Sequence, residues 1–310
     1  MKILKVFGFV LVALLVAVLA VYAWASYAAG RKLARIYTTH TADFPIPYPA
    51  GGQDSAQGAT AALERGKHLV EARYGCAECH GQDFAGGVMV DDPAIGRILG
   101  PNLTQGKGGV TTGFRAADWD RIVRHGIKPD GRPALMPSED FREMSDQELS
   151  DIIVFIRSQP PVDREVPSPS LGPLGKVLLA TGKFTLSADA VGSERAHAAT
   201  PPEAAPTVHF GRHIAATCMG CHRADLGGGP IVGGDPSWPP AANLTPGPEG
   251  IGRWTFAQFR TALREGKRPD GTALRPPMSA MVPYAQKMKD VELEALWAYL
   301  RSLPPVASRR

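Results

Sequence analysis

No serine, histidine and carboxylate residues cluster in this sequence in a way that points to hydrolysis. Its basic residues are not interleaved with aromatics, so nothing in it suggests nucleic-acid binding. No alternating apolar and polar run competes in length with its helical patterns, which argues against a sheet as the main core. Aromatic residues make up only 7% of the 310, a small stock for filling a core with rings. Cysteine is scarcer still, with four in the whole chain.

Those four fall into two copies of one pattern, Cys76-Ala-Glu-Cys79-His80 and Cys218-Met-Gly-Cys221-His222. Two thiols one helical turn apart, followed at once by histidine, match covalent c-type haem attachment: the thiols add to the two vinyl groups and the histidine reaches the iron. A four-cysteine zinc site would bring its two knuckles within about 15 to 20 residues, whereas 138 residues separate Cys79 from Cys218. A thioredoxin-like dithiol or a structural disulfide would leave both following histidines unexplained. The expectation is two covalently bound haem c groups, whose porphyrins would fill what the few aromatics do not.

An apolar run from Val6 to Ala29 contains 24 residues. As a helix rising about 1.5 Å per residue it exceeds the roughly 30 Å hydrocarbon core of a membrane. A cleavable signal has an apolar core of only about 7 to 15 residues, although Ala23-Trp24-Ala25 is a candidate cleavage site. Tyr22, Trp24 and Tyr27 cluster near the outer end as interfacial aromatics do, so a retained single-pass anchor is favoured. The charge rule leaves orientation open, since Lys2 and Lys5 face Arg31, Lys32 and Arg35 across the run. Haem attachment decides it: c-type maturation takes place outside the bacterial cytoplasmic membrane, so the chain after residue 30 is expected on the periplasmic side.

The remainder is an internal repeat. Arg65-Gly66-Lys67-His68 answers to Phe210-Gly211-Arg212-His213, Pro101-Asn-Leu-Thr104 to Ala242-Asn-Leu-Thr245, and each half closes on a helix ending in Arg-Ser-x-Pro-Pro. Ser145-Asp-Gln-Glu148 is a capping box opening the periodic run Leu149, Ile152, Ile153, Phe155 and Ile156, which Pro160 stops. Leu293, Leu296, Trp297 and Leu300 repeat that face. The expected organisation is a transmembrane anchor over 1–30, a linker over 31–60, a first domain over 61–161, a Pro/Ala-rich linker over 162–206 and a second domain over 207–306. The apolar patch Val177-Leu-Leu-Ala180 in the second linker reads equally as a packing contact or a membrane-surface contact.

These motifs resemble the class I cytochrome c family, specifically tandem membrane-anchored dihaem cytochromes, over residues 61–161 and 207–306. The resemblance implies an all-α fold of two such domains behind the anchor. It makes Cys76, Cys79, Cys218 and Cys221 the thioether residues and His80 and His222 the proximal iron ligands. The carbonyls of Pro101 and, with a departure from the usual proline, Ala242 would then accept the other ring N–H of those histidines. It also implies a methionine sulfur as sixth ligand, a soft neutral donor that raises the potential. Met136, in Leu-Met-Pro, and Met281, in Ala-Met-Val-Pro-Tyr, stand at the expected place, with Met278 the runner-up in the second domain. Met144 and Met288 align just before the last helices and read as packing residues.

His68 and His213 occupy matching places on the first helix of each repeat, on the side that also carries the attachment motif, so they are not assigned as ligands. His40, His125, His197 and His209 have no counterpart and are assigned nothing. Asn102-Leu-Thr104 and Asn243-Leu-Thr245 match a glycosylation acceptor, but their repetition in one loop points to a structural part. Gly100 to Gly108 imitates a phosphate loop with the wrong spacing. Residues 61–161 hold 12 Lys and Arg against 15 Asp and Glu, while 207–310 hold 13 against 8, a contrast that could steer different partners to the two domains or be ordinary solvated surface.

The leading functional expectation is an electron carrier with no catalytic residues of its own and no small-molecule substrate. It would pass single electrons between a periplasmic or membrane donor and an oxidase, a reaction centre or another acceptor, alone or within a membrane complex. The alternatives are the cytochrome subunit of a membrane-bound periplasmic dehydrogenase and, against the two similar methionine loops, a dihaem peroxidase.

Overall fold

The computed structural model describes residues 2–49, 55–191, 196–231, 234–235 and 237–309, so parts of both expected linkers lie outside the described residues. The chain opens with α1 (Lys2–Leu33), α2 (Ser55–His68), a π-helical stretch over Leu69–Tyr74 and α3 (Cys76–His80). A hairpin of β1 (Gly87–Asp92) and β2 (Gly96–Gly100) follows, then α4 (Ala116–His125) and α5 (Asp146–Arg157). The connection between the halves carries β3 (Ser170–Leu171), α6 (Pro173–Ala180) and α7 (Ser187–Ala190). The second half consists of α8 (Val208–Ala215), α9 (Met219–His222), α10 (Phe256–Glu265), α11 (Val282–Lys287) and α12 (Asp290–Ser302).

Each half is built on one crossing of its first and last helices, α2 with α5 and α8 with α12. At Gly66 a Cβ would lie 2.0 Å from the carbonyl oxygen of Asp151, and at its repeat counterpart Gly211, 1.9 Å from that of Ala295. Only glycine permits backbones this close, which is why both repeats carry it at the crossing. The capping box expected at Ser145 forms, with Ser145 Oγ accepting from Glu148 N. Leu149, Ile152, Ile153 and Ile156 bury the face that periodicity assigned to the core. Full burial of each contributes about 1.5–3 kcal/mol before entropy is set against it. Leu293, Leu296 and Leu300 bury the matching face of α12.

Helices dominate as expected, with one departure: an antiparallel three-stranded sheet of order β1-β2-β3, in which Gly87 pairs with Gly100 and Gly96 with Leu171. The hairpin sits directly on α3, since a Cβ at Gly100 would meet the Cys79 carbonyl oxygen at 1.9 Å and one at Gly87 would meet it at 2.7 Å. Its strands are short, β1 is largely exposed and β2 is buried at Gly96, Leu99 and Gly100, so neither alternates apolar and polar residues and they leave no period-two signature in the sequence.

The described part of the connection up to residue 191 is folded onto the first half and α1. Leu179 and Leu186 are buried with Ala29 of α1, and Lys32 Nζ donates to the Leu179 carbonyl at 2.8 Å. The Val177–Ala180 patch is thereby a packing contact for the end of α1. The two Asn-Leu-Thr loops are braces. Asn102 Nδ2 donates to the Val162 carbonyl and Asn243 Nδ2 to that of Val306, both at 2.8 Å, while Thr104 and Thr245 donate back to the asparagine oxygens. Each brace ties a loop to the segment after the Pro-Pro of the closing helix. The buried, engaged amides are unavailable as glycan acceptors.

Candidate functional site

Gly75 takes a left-handed conformation, φ 58°, and turns the chain from the π-helical stretch into α3, so that the first attachment motif stands on its own short helix. Cys76 and Cys79 lie one turn apart there, as Cys218 and Cys221 do at α9 and the turn before it. None of the four is in a disulfide. Burial pushes the Cys76 thiol up to about 12, with Cys79 adding to it, and pushes Cys218 up to about 11.

His80 and His222 are buried, and each donates its Nδ1–H to a backbone carbonyl: Pro101 at 3.0 Å and Ala242 at 2.7 Å. The alanine serves as well as the proline because the carbonyl, not the side chain, accepts. This bond fixes the ring orientation and leaves Nε2 as the nitrogen with a lone pair to offer an iron. Burial lowers the pKa of both imidazoles, against a smaller upward pull from the carbonyl, and so favours the neutral form a metal needs. The donor set fits haem c: a reduced thiol pair beside one oriented neutral imidazole, twice. Trp119 Nε1 adds to the fit in the first half, a buried donor with no hydrogen-bond partner among the described residues.

The methionines divide by environment. Met144 is 2% exposed within the first core and Met288 packs on Phe210, Ile214 and Ala295. Met136 is half-buried in the loop after α4, where its carbonyl accepts from Ser138 N at 2.8 Å. Met281, 40% exposed, closes a 3-10 turn over Met278–Met281, with Met278 half-buried at its start.

The two halves meet through contacts that exchange repeat-equivalent residues. His68 Nε2 lies 2.9 Å from Glu292 and His213 Nε2 lies 2.9 Å from Glu148, the two glutamates being the third residues of α12 and α5. Glu148 also accepts from Arg73 Nη1 at 2.9 Å. Tyr284 donates to Glu78, between the first pair of cysteines, at 2.5 Å, and Gly220 N, between the second pair, donates to Asp140. Asp140 and Tyr284 each stand four residues before the aligned Met144 and Met288. Each attachment motif is thus touched by the methionine-side loop of the other half. Repetition in sequence marks His68 and His213 as paired, but their partners lie 224 and 65 residues away and are visible only in the fold.

Residues 210–304 match the family Cytochrome c and residues 61–156 match Cytochrome C oxidase, cbb3-type, subunit III. The chain is 28% identical to the fructose dehydrogenase cytochrome subunit of Gluconobacter japonicus, over 79% of this chain and 53% of that protein. It is 30% identical to the cytochrome c subunit of the quinone alcohol dehydrogenase of Gluconacetobacter polyoxogenes, over 80% and 57%. It is 25% identical to a diheme cytochrome c-type protein of Cereibacter sphaeroides, over 80% and 88%. The chain spans little more than half the length of the two dehydrogenase subunits.

Proposed function

From two tandem cytochrome c domains, each with one covalently attached haem c, we propose that this chain is a membrane-tethered electron relay. It accepts single electrons from a periplasmic or membrane donor and hands them to a membrane acceptor such as an oxidase. The observation that carries the reading is the reciprocal contact described above, through which each half packs against the attachment motif of the other. Each haem, when bound, supplies a one-electron ferrous/ferric couple.

The chain's own residues set the conditions for that couple. His80 and His222 supply the proximal nitrogens, and Pro101 and Ala242 hold those rings in place. Met136 and Met281 supply the sixth ligands in this reading, supported by their loop positions, with domains at 61–161 and 207–306. The anchor over 1–30 is retained: Lys5–Leu33 is long and apolar enough to span, and its last turns are built into the fold through the buried Ala25 and Ala29.

A second reading, a fixed subunit of a membrane-bound dehydrogenase, is favoured by the names of the relatives. Purification of the native protein in mild detergent separates the two. Stoichiometric co-purification with a dehydrogenase supports the subunit, and a free dihaem chain supports the carrier. Both readings expect the weak far-red methionine–iron band of the oxidised protein to account for two haems. A five-coordinate, peroxide-reactive haem would overturn both in favour of a peroxidase.

A further inference from the structure

Three side chains that electron transfer does not use converge against the first domain. Asp120 and His125 lie on α4, and His197 comes from the connection between the halves. His125 Nε2 and His197 Nε2 are 3.1 Å apart, and each is 3.8 Å from Asp120 Oδ1. The three side chains are 0%, 0% and 1% exposed, so this is no solvated surface cluster.

The other ring nitrogens both face oxygen atoms. His197 Nδ1 lies 3.1 Å from the Arg142 carbonyl, which only accepts, so Nδ1 carries the hydrogen. His125 Nδ1 lies 3.2 Å from Thr39 Oγ1, an oxygen that accepts the ring hydrogen when the hydroxyl donates to the His40 carbonyl at 3.1 Å. In the neutral rings both Nε2 lone pairs then face each other and a carboxylate oxygen. Three bases converging in a buried space are held together by a shared proton or by a metal cation, and the geometry accommodates the cation. Histidines that donate Nδ1–H to oxygen and turn Nε2 inward are oriented as metal ligands are.

The spacing fits a small ion. A triangle with sides of 3.1, 3.8 and 3.8 Å has a centre about 2.1 Å from each corner, against roughly 2.0–2.2 Å for zinc bonded to imidazole nitrogen or carboxylate oxygen. The surrounding charge is suitable. Arg124 Nε lies 2.6 Å from Asp120 Oδ1 and its Nη2 lies 2.8 Å from Asp146, so one buried cation faces two carboxylates and the group is net negative. The backbone N–H of Ala42 holds the second Asp120 oxygen at 2.6 Å.

We propose that Asp120, His125 and His197 form a binding site for a divalent transition metal of the zinc class, with imidazole and carboxylate ligands. The metal would clamp the connection between the halves onto α4 and bring in the segment around Thr39 through His125. None of the three residues is among those proposed to hold a haem.

The test uses the full-length dihaem protein in detergent, stripped with a chelator and titrated with Zn²⁺ by calorimetry. One Zn²⁺ per chain should bind, with a rise in melting temperature. His197→Ala, in the connection rather than a haem loop, should weaken binding at least ~100-fold, with haem content and visible spectrum unchanged; His209→Ala should leave it unaltered. Absence of stoichiometric binding by the wild type, or binding that survives His197→Ala, would overturn the proposal and leave a hydrogen-bonded imidazole pair.

Discussion

His213 lies 2.9 Å from Glu148 across the contact between the two domains, and its repeat counterpart His68 stands in the same relation to Glu292. Two domains of one chain thus pack as the halves of a two-fold dimer do, with one contact made twice.

That contact should be sensitive to acid. Burial alone would raise the Glu148 carboxyl, but Arg73 and His213 outweigh it and hold it at about 2, against an ordinary 4.5; Glu292 is lowered in the same sense. The folded carboxylate binds fewer protons than the unfolded one, so its contribution is complete above about 4.5 and lost as pH falls toward 2. X-ray scattering of the dihaem protein should show the domains separating in that window. Glu148→Gln should already loosen them at neutral pH and flatten the acid response; an unchanged pH profile would show that Glu148 does not hold the contact.

Haem attachment should be independent in the two domains. Cys76→Ala with Cys79→Ala should leave one covalent haem per chain, measured by haem-stained denaturing gels and pyridine haemochrome. Two covalent haems in that variant would refute the assignment of the motif.

The proposed methionine ligands should be separable by potential. Met136→His or Met281→His should keep the iron six-coordinate and lower the potential of that haem alone, since imidazole favours the ferrous state less than a thioether does. Met144→Leu and Met288→Leu nearly conserve volume in packed sites and should move neither potential. In a redox titration, a response to Met278→His without one to Met281→His would shift the second ligand by three residues.

The helix crossings should tolerate no side chain. Gly66→Ala and Gly211→Ala place a methyl within 2.0 Å of a carbonyl oxygen and should destabilise their domains by ~1–3 kcal/mol or more in guanidinium unfolding. Gly58→Ala, on α2 with nothing within 4 Å, should be neutral or stabilising by up to ~1 kcal/mol.

The proposed anchor should be removable. A chain beginning at Arg31 behind a cleavable signal should be soluble and retain both haems, with lower stability because Ala29 no longer packs with Leu179 and Leu186. Native protein found soluble and starting at Ser26 would show the helix to be a signal instead.

Much of this molecule was legible without coordinates because its governing interactions are local. The Cys76–His80 and Cys218–His222 motifs are contiguous, the Ser145–Glu148 cap spans one turn, and α5 and α12 declare their buried faces through a 3.6-residue period. The repeat even marked Asn102 with Asn243 and His68 with His213 as pairs. Their purposes were not readable, because each depends on a partner supplied by a distant segment: Val162 and Val306 for the asparagines, Glu292 and Glu148 for the histidines. The β1–β2 hairpin stayed hidden because its glycines answer to the Cys79 carbonyl rather than to any pattern along the strand. His125 and His197, 72 residues apart and without repeat counterparts, acquire a chemistry only where the connection folds back onto α4. Sequence determined the cofactors, an N-terminal helix long and apolar enough to span a membrane and the two helical cores, since covalent motifs and helical periods act over a few residues. Tertiary structure alone decided how the domains face each other and which buried charges meet, since those contacts join residues that no local rule relates.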